Sequence, residues 1–238
     1  MKASVPVSRP QIRTFAQATD LDRALCQFVS ESLGQAIELR GKATLVVSGG
    51  STPLGFLRLL AQQQLPWSQV LVTLADERWV PVQHADSNER MVRELLIDHT
   101  GAQFLSLRGV ESSSAEAQRR LQEQMLGNDQ FDVVILGMGT DGHTASLFPQ
   151  AADLAALLDA QNPNCCAVVD PITAPHQRLS LTLSRLLNTR SIILHVTGSA
   201  KREVLEQAWA TQSLPIASIL RQELVPLEIY IDQPLELV

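Results

Sequence analysis

The sequence predicts an α/β fold, a mostly parallel sheet covered by helices in three layers. Short runs rich in Val, Ile and Leu alternate along the 238 residues with segments whose apolar residues recur once per helical turn. Several of these runs are apolar at successive positions, as strands buried on both faces of a parallel sheet are. Glycine-rich turns follow three of them, and open α/β sheets bind ligands outside the carboxyl ends of their strands.

In chain order, a short strand is expected near 11–16. A helix at 20–40 follows, with Leu21, Leu25, Phe28, Leu33 and Ile37 on one face and Gly41 as its stop. A buried strand at 44–47 runs into the turn SGGSTP, and a helix at 53–64 begins with Pro53, where the missing N–H costs nothing. The strand at 70–74 leads into DERWVP. The sequence DSNE then has the form of a capping box, Asp86 as N-cap and Glu89 three residues on, for a helix at 87–99 that gives Met91, Leu95 and Leu96 to the core. A strand at 103–107 and an exposed helix at 115–126, closed by Gly127 and Asn128, come next. The run 131–136 is a short apolar strand rich in β-branched residues, and Gly137, Gly139 and Gly142 let the chain after it turn sharply. Beyond lie a helix at 151–160, a strand at 167–170, and an alternation of Leu179, Leu181 and Leu183 that suits a half-buried strand. A buried strand at 191–196, an amphipathic helix at 200–211, a short helix at 216–221 and a last strand at 227–231 complete the chain. No repeat, low-complexity tract or linker interrupts it, so residues 1–238 are expected to form one domain.

Composition narrows the function. A net charge of -6 leaves no basic stripe for nucleic acid or anionic membrane. No apolar run reaches membrane-spanning length and the N-terminus has no signal-peptide core, so cytoplasmic residence is expected. Three cysteines, two of them the adjacent Cys165 and Cys166, make neither a disulfide framework nor a zinc spacing and read as small buried hydrophobes. An anionic ligand on so acidic a chain needs local cations. Lys and Arg beside glycine turns therefore carry information.

Four segments can carry chemistry. In SGGSTP the amides of Gly49, Gly50, Ser51 and Thr52 can converge on an anion at a helix N-terminus, although a tight turn capped by Thr52 fits the residues equally well. DERWVP brings Asp76, Glu77 and Arg78 past a strand end. Arg78 is the candidate for an anionic or polarised oxygen, the two acids read better as internal partners, and Trp79 and Pro81 as packing. TGSAK sets Lys201 in the first turn of a helix, against the helix dipole, a misfit that a bound anion would relieve. GMGTDG matches G-x-G-x-x-G, but the chain runs on through HTASLFP instead of opening a helix, the motif is not in the first βαβ unit, and of Asp159 and Asp170 downstream Asp159 falls in an expected helix, which argues against a dinucleotide. Among the histidines, His195 reads as a satisfied core residue, His99 as a helix-end residue, and His84 and His176 as exposed. Only His143 shares a glycine loop with a carboxylate, Asp141, two residues away, the equipment of general acid–base catalysis.

SGGSTP, DERWVP followed by DSN, GMGTDGHTASLFP and VTGSAK, in this order across nearly the whole chain, resemble the 6-phosphogluconolactonases of the glucosamine-6-phosphate isomerase superfamily. The resemblance implies a single Rossmann-like α/β/α domain that hydrolyses 6-phospho-D-glucono-1,5-lactone in the oxidative pentose phosphate pathway, with no metal or cofactor. Ala75 stands where that family commonly has Gly, and Glu89 where an aromatic is common. Together with the residues, it implies His143 as general base on water and then acid to the ring oxygen, Asp141 orienting it, and Arg78 at the phosphate or the oxyanion. Gly49, Gly50, Ser51, Thr52 and Lys201, with Arg178 as helper, are assigned to the substrate. The expected partner is a small phosphorylated sugar lactone, and the expected state a monomer or weak homodimer. Two rivals stand beside this reading. An amino-sugar-phosphate isomerase/deaminase would use Asp76 as carbon base, but the residues after His143 lack the Glu of that class. A non-catalytic sugar-phosphate sensor would keep the phosphate loops without needing Asp141 and His143.

Overall fold

A computed structural model of the chain describes residues 9–125 and 130–237. Among them ten strands form two sheets: β1 (Gln11–Thr14), β2 (Ala43–Val47), β3 (Val70–Leu74), β4 (Asp76–Arg78), β5 (Gln103–Leu105), β6 (Val133–Leu136), β7 (Cys166–Val169), β8 (Arg178–Leu181), β9 (Ile192–Val196) and β10 (Leu227–Ile231). Seven of them make one sheet in the order β1-β10-β9-β6-β2-β3-β5, every neighbouring pair parallel. The chain moves outward from β2 through β3 to β5, then returns to lay β6 on the other side of β2. The strand order therefore reverses between β2 and β6, and a crevice opens at their carboxyl ends, where doubly wound sheets hold ligands. β2 and β6 are apolar because both faces are covered: Leu45, Val46, Val47, Val133, Val134, Ile135 and Leu136 are all buried.

The helices are α1 (Ala18–Arg40), α2 (Leu54–Leu60), α3 (Asn88–Val92), α4 (Asp98–Thr100), α5 (Ser114–Met125), α6 (Leu154–Leu157), α7 (Leu183–Leu187), α8 (Ser199–Thr211) and α9 (Ala217–Leu220). α1 buries Leu21, Leu25, Val29 and Leu33, four residues apart, while Phe28 and Ile37 pack at the margin. It ends at Gly41, which adopts a left-handed conformation and donates its N–H to the Ile37 carbonyl at 2.7 Å. None of the described helices is long and apolar enough to cross a membrane.

The structure corrects several expected elements. DERWVP is no plain loop: β4, β8 and β7 form a second, antiparallel sheet of three strands. The expected strand through Leu183 stops at Leu181, because Thr182 accepts the Arg185 amide on its Oγ1 and caps α7. α2 stops at Leu60, where Gln62 and Gln63 tighten the chain onto the Leu59 and Leu60 carbonyls. The helix expected over 151–160 is the single turn α6 between turns of the same tight kind. The closure expected at Gly127 and Asn128 lies outside the described residues.

The capping box at 86–89 is also replaced. Ser87, not Asp86, is the N-cap of α3, and its Oγ accepts the Arg90 amide at 3.1 Å. The buried Glu77 carboxylate does the rest. It accepts from the Asn88 and Glu89 amides at 2.8 and 2.7 Å, the Ser87 hydroxyl at 3.0 Å and its neighbour Arg78's amide at 2.7 Å. Since Glu77 serves those donors, Glu89 turns inward to Arg93 at 2.8 Å and to Ser106. From α3 the helix continues through a π turn, Arg93–Ile97, into α4 and ends at Gly101.

Glu77→Ala would strand two helix-end amides and a strand amide inside the protein. It should lower the unfolding free energy by roughly 2–4 kcal/mol, measured by urea denaturation, with unchanged secondary structure by circular dichroism.

Candidate active site

The loops that leave β2 and β6 meet over the crevice. Ser48, at the end of β2, donates its hydroxyl to the Ile135 carbonyl at 3.0 Å and accepts the Gly137 amide at 3.3 Å. The two loops thus start from one fixed point. After β2, Gly49 passes Asn88 so closely that a Cβ would stand 1.9 Å from Asn88 Oδ1, and Asn88 is itself tied to the Asp76 carbonyl at 2.9 Å. Only glycine admits that approach. After β6, residues 139–143 close on themselves, with the Gly139 amide on the His143 carbonyl at 2.9 Å and the Gly142 amide on the Gly139 carbonyl at 3.0 Å. A Cβ on Gly139 would lie 2.2 Å from His143 Cε1 and 2.6 Å from Asp141 Oδ1.

This fold of the loop pairs Asp141 with His143. Asp141 Oδ1 lies 2.5 Å from His143 Nδ1 and also accepts the His143 amide at 3.2 Å. The ring is braced against Phe148, 4.5 Å between centroids. With Nδ1–H held by the carboxylate, Nε2 keeps its lone pair for a proton from outside the pair.

A cavity of about 220 Å³ occupies the crevice. Its wall includes His143, Arg78, Lys201 and the whole turn from Gly49 to Thr52, residues drawn from four separate strand ends. Lys201 Nζ donates to Thr52 Oγ1 at 3.3 Å, so the lysine and the SGGSTP turn face one spot, and burial pushes the lysine's pKa down. A phosphate there would supply the counter-charge that the lysine lacks. Arg78 Nη1 donates to the Asp86 carbonyl at 2.6 Å, while its buried Nε has no partner. Of the neighbouring acids, Glu77 acts on α3, whereas Asp76 also lines the cavity and accepts the Ser146 hydroxyl on Oδ2 at 2.6 Å. Trp79 packs, with the Arg108 guanidinium 4.5 Å over its ring.

Two residues assigned to the site lie outside this wall. Asp141 touches the cavity through His143 alone. Arg178 is buried beside it, across the β4–β8 pair from Arg78, donating to the Pro175 carbonyl at 3.0 Å. Burial first and the Arg78 charge second push its pKa down.

The model for Glucosamine-6-phosphate isomerases/6-phosphogluconolactonase matches residues 16–226. The chain belongs to this family. Proteins named 6-phosphogluconolactonase from Rhizobium meliloti strain 1021 and from Pseudomonas putida are each 40% identical to it, over 91% and 92% of this chain and 96% and 92% of their own. A crystal structure of a 6-phosphogluconolactonase from Shewanella baltica superposes with a TM-score of 0.88 at 38% identity, covering 95% of this chain and 99% of that one. The α/β architecture and its mostly parallel sheet are those of this family.

One cavity residue of this family member was not expected there. His195, read from its apolar strand as a satisfied core residue, is only 2% exposed, yet both ring nitrogens lack a hydrogen-bond partner and the ring lines the cavity. It stands edge-on to Phe56, 6.4 Å away, and Nε2 is 3.5 Å from Asp22 Oδ1. The signal available in the sequence was its position, three residues before the glycine that opens α8. Burial, then the Lys201 charge, pushes the His195 pKa down to about 4, and burial raises that of Asp22 to about 6.

The lowered histidine pKa has a definite sign. The folded protein holds the proton less tightly than the unfolded chain, so the stability from a neutral His195 is complete above about pH 6.5 and is lost as the pH falls toward 4. His195→Phe removes that loss. Between about pH 7 and pH 4.5 the wild type should lose on the order of 2–3 kcal/mol relative to the variant in urea unfolding.

Proposed function

We propose that this chain is a 6-phosphogluconolactonase, hydrolysing 6-phospho-D-glucono-1,5-lactone to 6-phospho-D-gluconate in the oxidative pentose phosphate pathway, with no metal or cofactor. The observation that carries the reading is that the His143–Asp141 pair and the Lys201–Thr52 anion cradle open into one cavity. The names of its relatives agree with it. A sugar phosphate whose phosphate rests on the Gly49–Thr52 amides and Lys201 extends its lactone toward His143. The single-domain chain acts in the cytoplasm, as a monomer or weak homodimer, on a small phosphorylated lactone and on neither nucleic acid nor membrane.

His143 Nε2 takes a proton from water as the water oxygen bonds to the lactone carbonyl carbon, leaving a tetrahedral oxyanion. Collapse of that oxyanion breaks the bond to the ring oxygen, and the imidazolium returns its proton there, so the ring opens to a carboxylic acid and a hydroxyl. Asp141 keeps Nδ1 protonated and balances the charge of the imidazolium. Arg78 carries a permanent positive charge and an unpartnered buried N–H on the cavity wall, and acts on the phosphate or on the oxyanion. Arg178 adds a second positive charge behind it.

The residues after His143 fit the lactonase better than the deaminase. Thr144 donates to the Gly137 carbonyl at 2.8 Å and Ser146 to Asp76 at 2.6 Å. The segment is therefore fastened by hydroxyls and brings no carboxylate of its own to the cavity.

A coupled assay tests the proposal: glucose-6-phosphate dehydrogenase supplies the lactone, and 6-phosphogluconate formation is followed with the spontaneous rate subtracted. Wild-type protein should accelerate ring opening, and His143→Ala should lower kcat by about 10²–10⁴-fold while folding normally. Wild-type turnover by His143→Ala would overturn the assignment. Lys201→Ala should instead act mainly on KM, raising it roughly tenfold or more, as expected for a lost charge-assisted contact.

A further inference from the structure

His84 and His176 were read as exposed residues without a role. The structure brings them together at one end of the small sheet, from the loop after β4 and the loop before β8, onto one carboxylate. Asp86 Oδ2 is 3.0 Å from His176 Nε2 and 3.8 Å from His84 Nδ1, and the three ligand atoms lie within 4.8 Å of one another. The imidazole rings stand 5.4 Å apart and nearly perpendicular, at 78°, so they do not stack. His176 reaches this place on a left-handed backbone, φ 67°, uncommon for a residue with a Cβ.

An ordinary ion pair does not account for three members. One carboxylate compensates one imidazolium, and the second ring then brings either a like charge or a lone pair without a strong donor. The lone pair of His84 now accepts only the Asp86 amide, at 3.1 Å. A cation satisfies both imidazoles and the carboxylate together. Zinc-class metals bind nitrogen and oxygen at about 2.0–2.2 Å, which puts neighbouring tetrahedral ligands about 3.3–3.5 Å apart; the 3.0 and 3.8 Å separations to Asp86 bracket that spacing, and the two nitrogens, within 4.8 Å, would draw together on an ion. Two imidazoles and one carboxylate favour zinc, cobalt or nickel over calcium or magnesium, which prefer all-oxygen shells.

We propose that His84, Asp86 and His176 form a surface site for one divalent transition-metal ion of the zinc class, which clamps the loop that holds Arg78. The link to Arg78 is direct, since Arg78 Nη1 donates to the Asp86 carbonyl. The two ligand loops already meet at one backbone bond, from the Trp79 amide to the Gln177 carbonyl at 2.7 Å, and the ion adds a second tie across them. None of the three ligands lines the cavity, and the site takes no part in the hydrolysis.

Metal-stripped protein titrated with Zn²⁺ by calorimetry and with Co²⁺ by visible absorption tests this. One ion per chain should bind. Its affinity should fall at least about tenfold in His176→Asn and in Asp86→Asn, and be retained in His143→Ala, which removes the other exposed His–Asp pair. Zn²⁺ should raise the melting temperature of the wild type and not of those two variants. His84→Gln, a change on an exposed side chain, gives the same reading should either variant misfold. The proposal fails if the wild type binds no ion, if the ligand substitutions leave binding intact, or if His143→Ala abolishes it. The clamp fails if bound Zn²⁺ leaves the melting temperature unchanged.

Discussion

The pairing of β2 with β6 is the constraint on which the site depends. These strands lie side by side although 85 or more residues separate the Cα partners Leu45–Val133 and Val46–Val134. Their loops leave in different directions, one toward α2 and one toward the His143 turn. Whatever sits between them is gripped by amides from one side and an imidazole from the other. The Ser48 hydroxyl fixes the gap by donating to one loop's strand and accepting from its first amide. Being 8% exposed, it does so largely away from competing water.

A second level of support comes from a buried carboxylate. Glu77 alternates with Asp76 and Arg78 along β4, so it faces away from its neighbours, and from there it collects the first amides of α3. That fixes Asn88, against which Gly49 packs, and hence the entrance of the anion turn. Burial pushes the Glu77 pKa up while four donors pull it down, and burial dominates. The buried charge is therefore costly to keep, and the four donors, which it in turn satisfies, offset part of that cost.

Much of this was legible in the sequence, for physical reasons that also mark where legibility ends. Strands β3 and β10 fall where expected because their β-branched runs have sharp borders, and Gly41 ends α1 because only a residue without Cβ takes that conformation easily. Lys201 stood out because it opposes its helix dipole, His143 because it shares a glycine loop with Asp141, and Arg78 and the Gly49–Thr52 turn because they follow strand ends; the structure brings all of them to one cavity. In the second sheet β7 and β8 were readable as strands, but the three-residue β4 has no periodicity to read, and Leu179, Leu181 and Leu183 alternate although only the first two are in a strand. The cap of α3 was misplaced because the acceptor that replaced Asp86 is Glu77, nine residues before it. His195 was misread because its burial is real. Pattern reports that a side chain is inside, but not whether its nitrogens find partners there.

Two histidines beside carboxylates line one cavity, and environment alone separates their chemistry. His195 is 2% exposed and its Nε2 sits 3.5 Å from Asp22, too far and too poorly aligned for a hydrogen bond, so a positive charge there would be neither solvated nor closely paired. It stays neutral until about pH 4 and cannot shuttle a proton at neutral pH, though it can still offer a hydrogen bond. His143 keeps 30% of its side chain in solvent and has Asp141 at 2.5 Å, so both water and a carboxylate stand ready for a transient imidazolium. Proton transfer in the proposed reaction therefore falls to the rim of the cavity and not to its floor. That division also protects Lys201, since a charged imidazole at His195 would stand against the cation proposed to receive the phosphate.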